Sequence, residues 1–221
     1  DVVHFELPEQ GSVGSDGSLL TINAAVGEFK PDAVILVGYA FGKDDKSDQS
    51  RSQKIGTVLI SEKVADYESG KMKEDKMQSD GMICESGRQL LSAFKHYAKS
   101  WNYFINGEKA NYEFGLLLSG DKVVDDPKFK KELFERYPRA IGGEMEGRGA
   151  YSVCRRLGIE EWIIVKAICD FGDGNKSVDK QTKQNIAAVS AVNFLNHLFT
   201  NPKAFEKIIK LDEKKKKKKL I

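Results

Sequence analysis

Little in this chain of 221 residues points to a membrane, a disulfide scaffold or a metal. No apolar run approaches the ~18 residues a membrane-spanning helix needs, so no membrane contact is expected. The three cysteines (Cys84, Cys154 and Cys169) are scattered and odd in number. That is unlike a disulfide framework or a zinc site, and the expected location is the reducing cytoplasm. His4, His96 and His197 lack metal-ligand spacing. His96 and His197 fall in candidate helices and read as surface or interface residues. No Walker loop, Rossmann fingerprint, G-x-S-x-G elbow or H-E-x-x-H helix occurs. Neither an internal repeat nor a second domain is evident. No signal peptide opens the chain, although it starts at Asp1 rather than Met, which leaves room for a lost leader.

A basic surface is missing as well. The formal net charge is +2, but Lys214 to Lys219 supply six positive charges, and without them the body stands at −4. The overall basic field of a nucleic-acid binder is therefore absent. The lysine run reads as a solvated tail, whose sharper alternative is polyanion contact or nuclear import. With 40% hydrophobic and 31% charged residues, the composition fits one sizeable domain with a self-sustaining core. That domain is expected over residues 1–200, with a helical and lysine-rich tail at 201–221.

Apolar runs at 2–7, 33–37, 55–61 and 112–118 read as strands. The run at 33–37 is continuous and fits a strand buried on both faces. Leu19, Ile22, Val26 and Phe29 fall at helical spacing after a cap at Asp16 or Ser18. Further helices are expected at 84–100 (Leu90, Leu91, Phe94 and Tyr97 inward), 127–134 and 180–199 (Ile186, Val189, Val192, Leu195 and Phe199 inward). Residues 10–17 and 67–80 read as loops, 38–42 as a turn, and 43–54 as a mobile excursion. Strands alternating with helices argue for an α/β fold.

The most informative stretch is Ile141-Gly142-Gly143-Glu144-Met145-Glu146-Gly147, followed a helix later by Val165-Lys166-Ala167-Ile168-Cys169-Asp170. Each places carboxylates at the end of an apolar run, where open α/β sheets bind ligands. The intervening helix stops at Gly158. A strand–helix–strand unit predicts parallel strands whose carboxylates share one rim. Asp170 could equally cap a helix, and Glu146 could favour a helix amino end. Glu144 and Glu146 on one side of an extended chain would raise one pKa unless a cation or a ligand hydroxyl intervenes. Cys169 has no histidine near it in sequence, which argues against a thiol nucleophile.

These pieces together resemble the purine nucleoside phosphorylase/nucleosidase superfamily. The nearest branch is the methylthioadenosine/S-adenosylhomocysteine nucleosidases and their relatives attached to larger defence or signalling proteins. The landmarks are Lys30 to Gly38 with Gly42, Ile55 to Ser61, Gly115 to Asp121, Gly143 to Gly147 and Val165 to Asp170. The resemblance covers residues 2–199 and implies a mixed, largely parallel central sheet flanked by helices in three layers. It implies cleavage of a purine N-glycosidic bond without metal or organic cofactor, by a homo-oligomer. Asp170 would protonate purine N7, and such an acid should hold its proton near neutral pH. Glu146 would accept from the ribose hydroxyls and Met145 would pack on the sugar. Val124 and Cys169 would offer backbone groups to the base beside Val123, and Glu144, Tyr39 and Ala40 complete the expected substrate contacts.

Two departures stand out. The family's first strand, which in nucleosidases carries the water-activating carboxylate, is not present before residue 2, so the chain resembles a fragment. Where phosphorylases place an arginine before the Gly-rich turn, this chain has Ile35-Leu36-Val37, and Arg51 and Arg88 lie off the motif. Water is thus the expected nucleophile. A phosphorylase and a non-catalytic nucleoside-sensing module are the alternatives. Arg148 replaces a small residue and is expected either to pair with Glu144 or Glu146 or to bind an anionic 5′ substituent.

Overall fold

The computed structural model describes residues 1–43, 53–69, 71–73, 76–78, 82–201 and 203–208. In chain order the elements are α1 (Ser18–Phe29), β1 (Ala33–Gly42), β2 (Val58–Asp66), β3 (Lys71–Lys73), β4 (Lys76–Gln78), β5 (Ile83–Glu85) and α2 (Arg88–Tyr97). They continue with β6 (Phe104–Ile105), β7 (Glu108–Lys109), β8 (Tyr112–Ser119), α3 (Pro127–Arg136), β9 (Ala140–Glu144), α4 (Gly147–Leu157), β10 (Glu161–Asp170) and α5 (Lys180–Phe199). Six strands form one mixed sheet in the order β10-β1-β9-β8-β2-β5, and a further pairing of β10 with β2 closes it on itself. The long registers, β1 with β10 and β2 with β8, are parallel. The antiparallel contacts of β1 with β9, β10 with β2 and β2 with β5 are short.

Side-chain alternation along the strands makes the layers. Val58, Ile60, Ile163, Val165 and Ala167 face α2 and α5, packing on Leu90, Phe94, Phe194 and Leu198. Leu59, Ile164 and Ile168 face the other way, onto Ile22 and Val26 of α1 and Ala150, Val153 and Cys154 of α4. A third cluster packs Leu133 of α3 under Phe41, Leu118 and Val124. Helices α1 and α4 approach closely because Gly149 lacks a side chain; a Cβ there would sit 2.1 Å from Ser18 Oγ.

Several local expectations change. Residues 2–7 form no strand, and Val2, Val3 and Phe5 lie exposed. β1 pairs with β10 along its length but with β9 only at Phe41 and Gly42, and residues 2–7 do not fill the rest of that edge. The turn expected at 38–42 is instead the second half of β1, in parallel register with β10 as far as Ala40 opposite Ile168. β1 is also less covered than a strand buried on both faces, since Val37 and Tyr39 are exposed. The strand expected at 55–61 starts later and runs through Asp66. Within 67–80, β3 and β4 form a small antiparallel pair. The helix expected from residue 84 begins at Arg88, because Cys84 pairs with Val64 of β2. Helix α1 has neither Asp16 nor Ser18 as its cap: Gly17 precedes it, and the Ser18 hydroxyl donates to the Glu146 carbonyl instead.

On α5 the small residues Ala187, Ser190 and Ala191 face the core with Phe194, while Val189, Val192 and Phe199 are exposed. Ala204 and Ile208 are buried beyond residue 200. The lysine run and residues 44–52 of the expected excursion lie outside the described residues.

Candidate active site

The ends of β9 and β10 meet across the end of β1. Phe41 has Gly143 as its register partner on one side and Asp170 on the other. β9 and β10 are therefore not a parallel adjacent pair. β1 lies between them, parallel to β10 and antiparallel to β9, and the carboxylates share a rim through it.

On the β9 side, three charges are packed together. Glu144 is 3% exposed and Lys166 only 2%. The Lys166 ammonium lies 2.6 Å from Glu146 Oε2 and 3.4 Å from Glu144 Oε2. The Glu144 carboxylate also accepts from the backbone N–H groups of Glu146 (3.0 Å) and Gly147 (2.8 Å), which opens α4. The Gly11 N–H donates to Glu146 Oε1 at 3.1 Å. Burial pushes the Glu144 carboxyl upward, with Lys166 opposing and Glu146 adding to the rise. Burial pushes Glu146 in the same direction, but Lys166 and the Gly11 N–H outweigh it and hold this carboxyl below the ordinary glutamate value. Burial likewise works against the Lys166 charge, and the two carboxylates overcome it, so its pKa stands above the usual lysine range.

Lys166 was not among the sequence-expected site residues, although the signal was present. A lone lysine inside the apolar run from Trp162 to Cys169 is seldom buried without a partner. Ser12 also went unnoticed. Its hydroxyl donates to the Met145 carbonyl (3.0 Å) and accepts from the Gly149 N–H (3.1 Å), tying the 10–17 loop to α4.

On the β10 side, Asp170 is buried. Its Oδ1 accepts from the Gly172 N–H at 2.9 Å, and its Oδ2 lies 3.3 Å from Cys169 Sγ and 3.7 Å from Lys176 Nζ. Burial and the adjacent Asp170 push the Cys169 thiol up to about 12, so it stays protonated and no thiolate nucleophile forms. Val124 is buried against the turn after Asp170; a Cβ on Gly172 would meet its Cγ1 at 3.1 Å. Val123 is exposed. Tyr39 is exposed on β1, whereas Ala40 is buried in the α1–α4 cluster and Met145 is half-buried.

Arg148 pairs with neither Glu144 nor Glu146. Its guanidinium lies 3.3 Å from Asp66, 3.6 Å from Glu68 and 3.6 Å from Asp121. Three carboxylates around one guanidinium bind the ends of β2 and β8 to α4.

No group of three or more His, Cys, Asp or Glu side chains is placed to hold a metal among the described residues. A groove of about 600 Å³, lined by Met82, Cys84, Tyr151, Arg155 and Trp162, lies at the opposite end of β10 from Asp170 and takes no part in this arrangement.

Known proteins resemble this chain over most of its length. A death domain-containing ATP nucleosidase from Amphimedon queenslandica is 28% identical over 210 residues, covering 86% of this chain and 38% of the relative. ATP nucleosidase Cap17 from Escherichia coli is 24% identical over 219 residues, covering 86% of this chain and 42% of the relative. The chain thus spans about two fifths of the length of these curated relatives. Among solved structures, 5′-methylthioadenosine/S-adenosylhomocysteine nucleosidase from Neisseria meningitidis, in complex with methylthio-immucillin-A, superposes with a TM-score of 0.70. The identity is 22%, covering 86% of this chain and 77% of that one, and the likeness establishes the mixed α/β architecture. The model of the phosphorylase superfamily matches residues 7–200, and the chain belongs to that superfamily.

Proposed function

We propose that this chain cleaves the N-glycosidic bond of an adenine-type purine nucleoside, or of its 5′-modified derivative, by hydrolysis. The observation that carries this reading is the placement of Glu144, Glu146 and Asp170 on either side of the end of β1. In the proposed reaction the C1′–N9 bond breaks and its electron pair leaves with the base. Asp170 gives its proton to N7, making the purine a neutral leaving group. Glu146 accepts a hydrogen bond from a ribose hydroxyl as the sugar takes on oxocarbenium character, a division of labour between two carboxyls that glycoside hydrolysis also uses. Water adds at C1′ and gives up a proton to solvent, from which the Asp170 carboxylate regains its own. Met145 packs on the sugar, and Val123, Val124, Cys169, Tyr39 and Ala40 complete the proposed contacts through side chain or backbone.

Water rather than phosphate is supported by the apolar run Ile35-Leu36-Val37, which offers no cation ahead of the site. The relatives named as nucleosidases support it too. Because two of those names specify ATP, the 5′ substituent is tested across a series. Adenine release is measured from adenosine, methylthioadenosine and ATP, with and without phosphate, with inosine as the 6-oxo control. Phosphate-independent adenine release is expected. Release only with phosphate would make the chain a phosphorylase, and binding without release by the folded protein would make it a sensing module. A homo-oligomer working in the cytoplasm belongs to the same reading and rests on the family resemblance; sedimentation velocity tests the first.

A further inference from the structure

Lys166 is placed where no apolar strand residue needs to be. β10 is buried along its whole length, and the residues around Lys166 alternate between the two apolar layers of the core. Lys166 falls on the face toward α1 and α4, between the aliphatic Ile164 and Ile168 of the same face. A buried ammonium is retained there only with excellent compensation. The compensation is specific, because both carboxylates of the Glu-Met-Glu segment converge on it. Its parallel-register partner on β1 is Gly38, and a Cβ at Gly38 would lie 2.9 Å from the ammonium. The neighbouring strand thus lacks a side chain where the lysine must pass.

We infer that Lys166 is a positioning residue for the proposed glycosidic-bond cleavage: its ammonium holds the Glu146 carboxylate ionised and oriented to receive a ribose hydroxyl. This inference rests on the nucleosidase reading. Two carboxylates in one buried site cannot both stay charged without a cation. Around the pair, β9 contributes Glu144, the end of β2 contributes the Tyr67 phenol, and the β8–α3 connection contributes Asp121. Arg148 of α4 is already taken by Asp66, Glu68 and Asp121, while the 10–17 loop brings only the Gly11 N–H to Glu146. Lys166 is the cation in ion-pair contact with Glu146 among the described residues. Without it, burial and the Glu144 charge both favour the protonated form of Glu146, which can no longer accept through that oxygen.

The sign of the pH effect follows. A carboxyl held low stays ionised as pH falls, so the acid limb of kcat/KM lies at low pH in the native chain. Removing Lys166 moves that limb upward. The test compares Lys166→Met, Lys166→Arg and the double variant Lys166→Met/Glu144→Gln. Adenine release is followed from pH 5 to 9, alongside the Glu146 carboxyl carbon resonance, assigned by its loss in Glu146→Gln.

Lys166→Met is expected to lose at least about tenfold in kcat/KM at pH 6 and to recover as pH rises, since each pH unit below a pKa removes about tenfold of the ionised form. Its Glu146 resonance should titrate at higher pH. Lys166→Arg should keep the native limb. The double variant should show a smaller upward shift than Lys166→Met, and it carries the test if that single variant fails to fold. A uniform loss at every pH, with the Glu146 titration unmoved, overturns the inference and leaves Lys166 a purely structural residue. If the native chain releases no base yet the resonance shifts as described, the nucleosidase reading fails while the charge-setting role stands.

Discussion

The two acidic ends of the site are built on opposite principles. At the end of β9, Glu144 and Glu146 are locked by a buried ammonium and by three backbone N–H groups, two of them from the first residues of α4 and its cap. At the end of β10, Asp170 is fixed through a single backbone N–H, and its other oxygen faces a thiol and the partly exposed Lys176. The first arrangement suits a group that must keep one charge and one orientation. The second holds the carboxylate by one oxygen and leaves the other beside the turn that follows β10. The strand β1 keeps the two arrangements apart.

The sharpest way to break this contrast is Asp170→Asn. The amide carbonyl still accepts from Gly172, so the fold should survive, whereas the proton that the proposed reaction gives to the base is gone. Base release is expected to fall by about 10²–10⁴-fold with an unchanged melting temperature, as chromatography and calorimetry would register. Undiminished turnover would remove Asp170 from the mechanism. Glu146→Gln should cost less. Loss of one charge-assisted hydrogen bond is about 1.5–3 kcal/mol, or about ten- to 150-fold in kcat/KM, read from initial rates at fixed pH.

Glu144→Ala tests stability rather than chemistry. It orphans the N–H groups of Glu146 and Gly147, at about 1–3 kcal/mol for each group that water does not reach, and urea unfolding should show a lower midpoint. Glu144→Gln, which keeps an acceptor, should recover part of that loss. The smallest effect is expected from Gly38→Ala, which removes no charge. Its Cβ crowds the ammonium, and overpacking of this kind costs about 1–3 kcal/mol unless the lysine end gives way. A drop in kcat/KM accompanied by little loss of stability would show that the ammonium had moved instead.

How far this contrast could be read from the residues differs between its halves. The β9–α4–β10 unit was legible because each segment signals itself: an apolar run, a helix stopped by Gly158 in the left-handed region at φ 72°, then a second apolar run. The carboxylates at the run ends were legible for the same reason. The direction of β9 relative to β10 was not, because a strand–helix–strand rule assumes an open sheet and this one closes through β1 and β2. Lys166 was hidden inside its own apolar run, since periodicity counts it as an interruption rather than a partner. Gly38 and Gly42 read as turn residues, yet in β1 they supply clearance, Gly38 under Lys166 and Gly42 beside Ile168 and Phe171. On α5 helical spacing points the large valines inward, whereas helix and sheet approach through Ala187 and Ala191. Hydrophobic size misleads wherever close packing favours small side chains.

The start of β10 carries one more consequence. Helix α2 has no side-chain cap of its own, and the buried Glu161 carboxylate, 72 residues along the chain from Gln89, accepts from the Gln89 and Leu90 N–H groups in its place. A helix whose first turn is completed by a distant strand cannot fray independently of that strand. The amides of Gln89 and Leu90 should therefore exchange with deuterium at the pace at which β10 undocks, far more slowly than an ordinary helix end, and serve as a clock for the opening of the whole central ring.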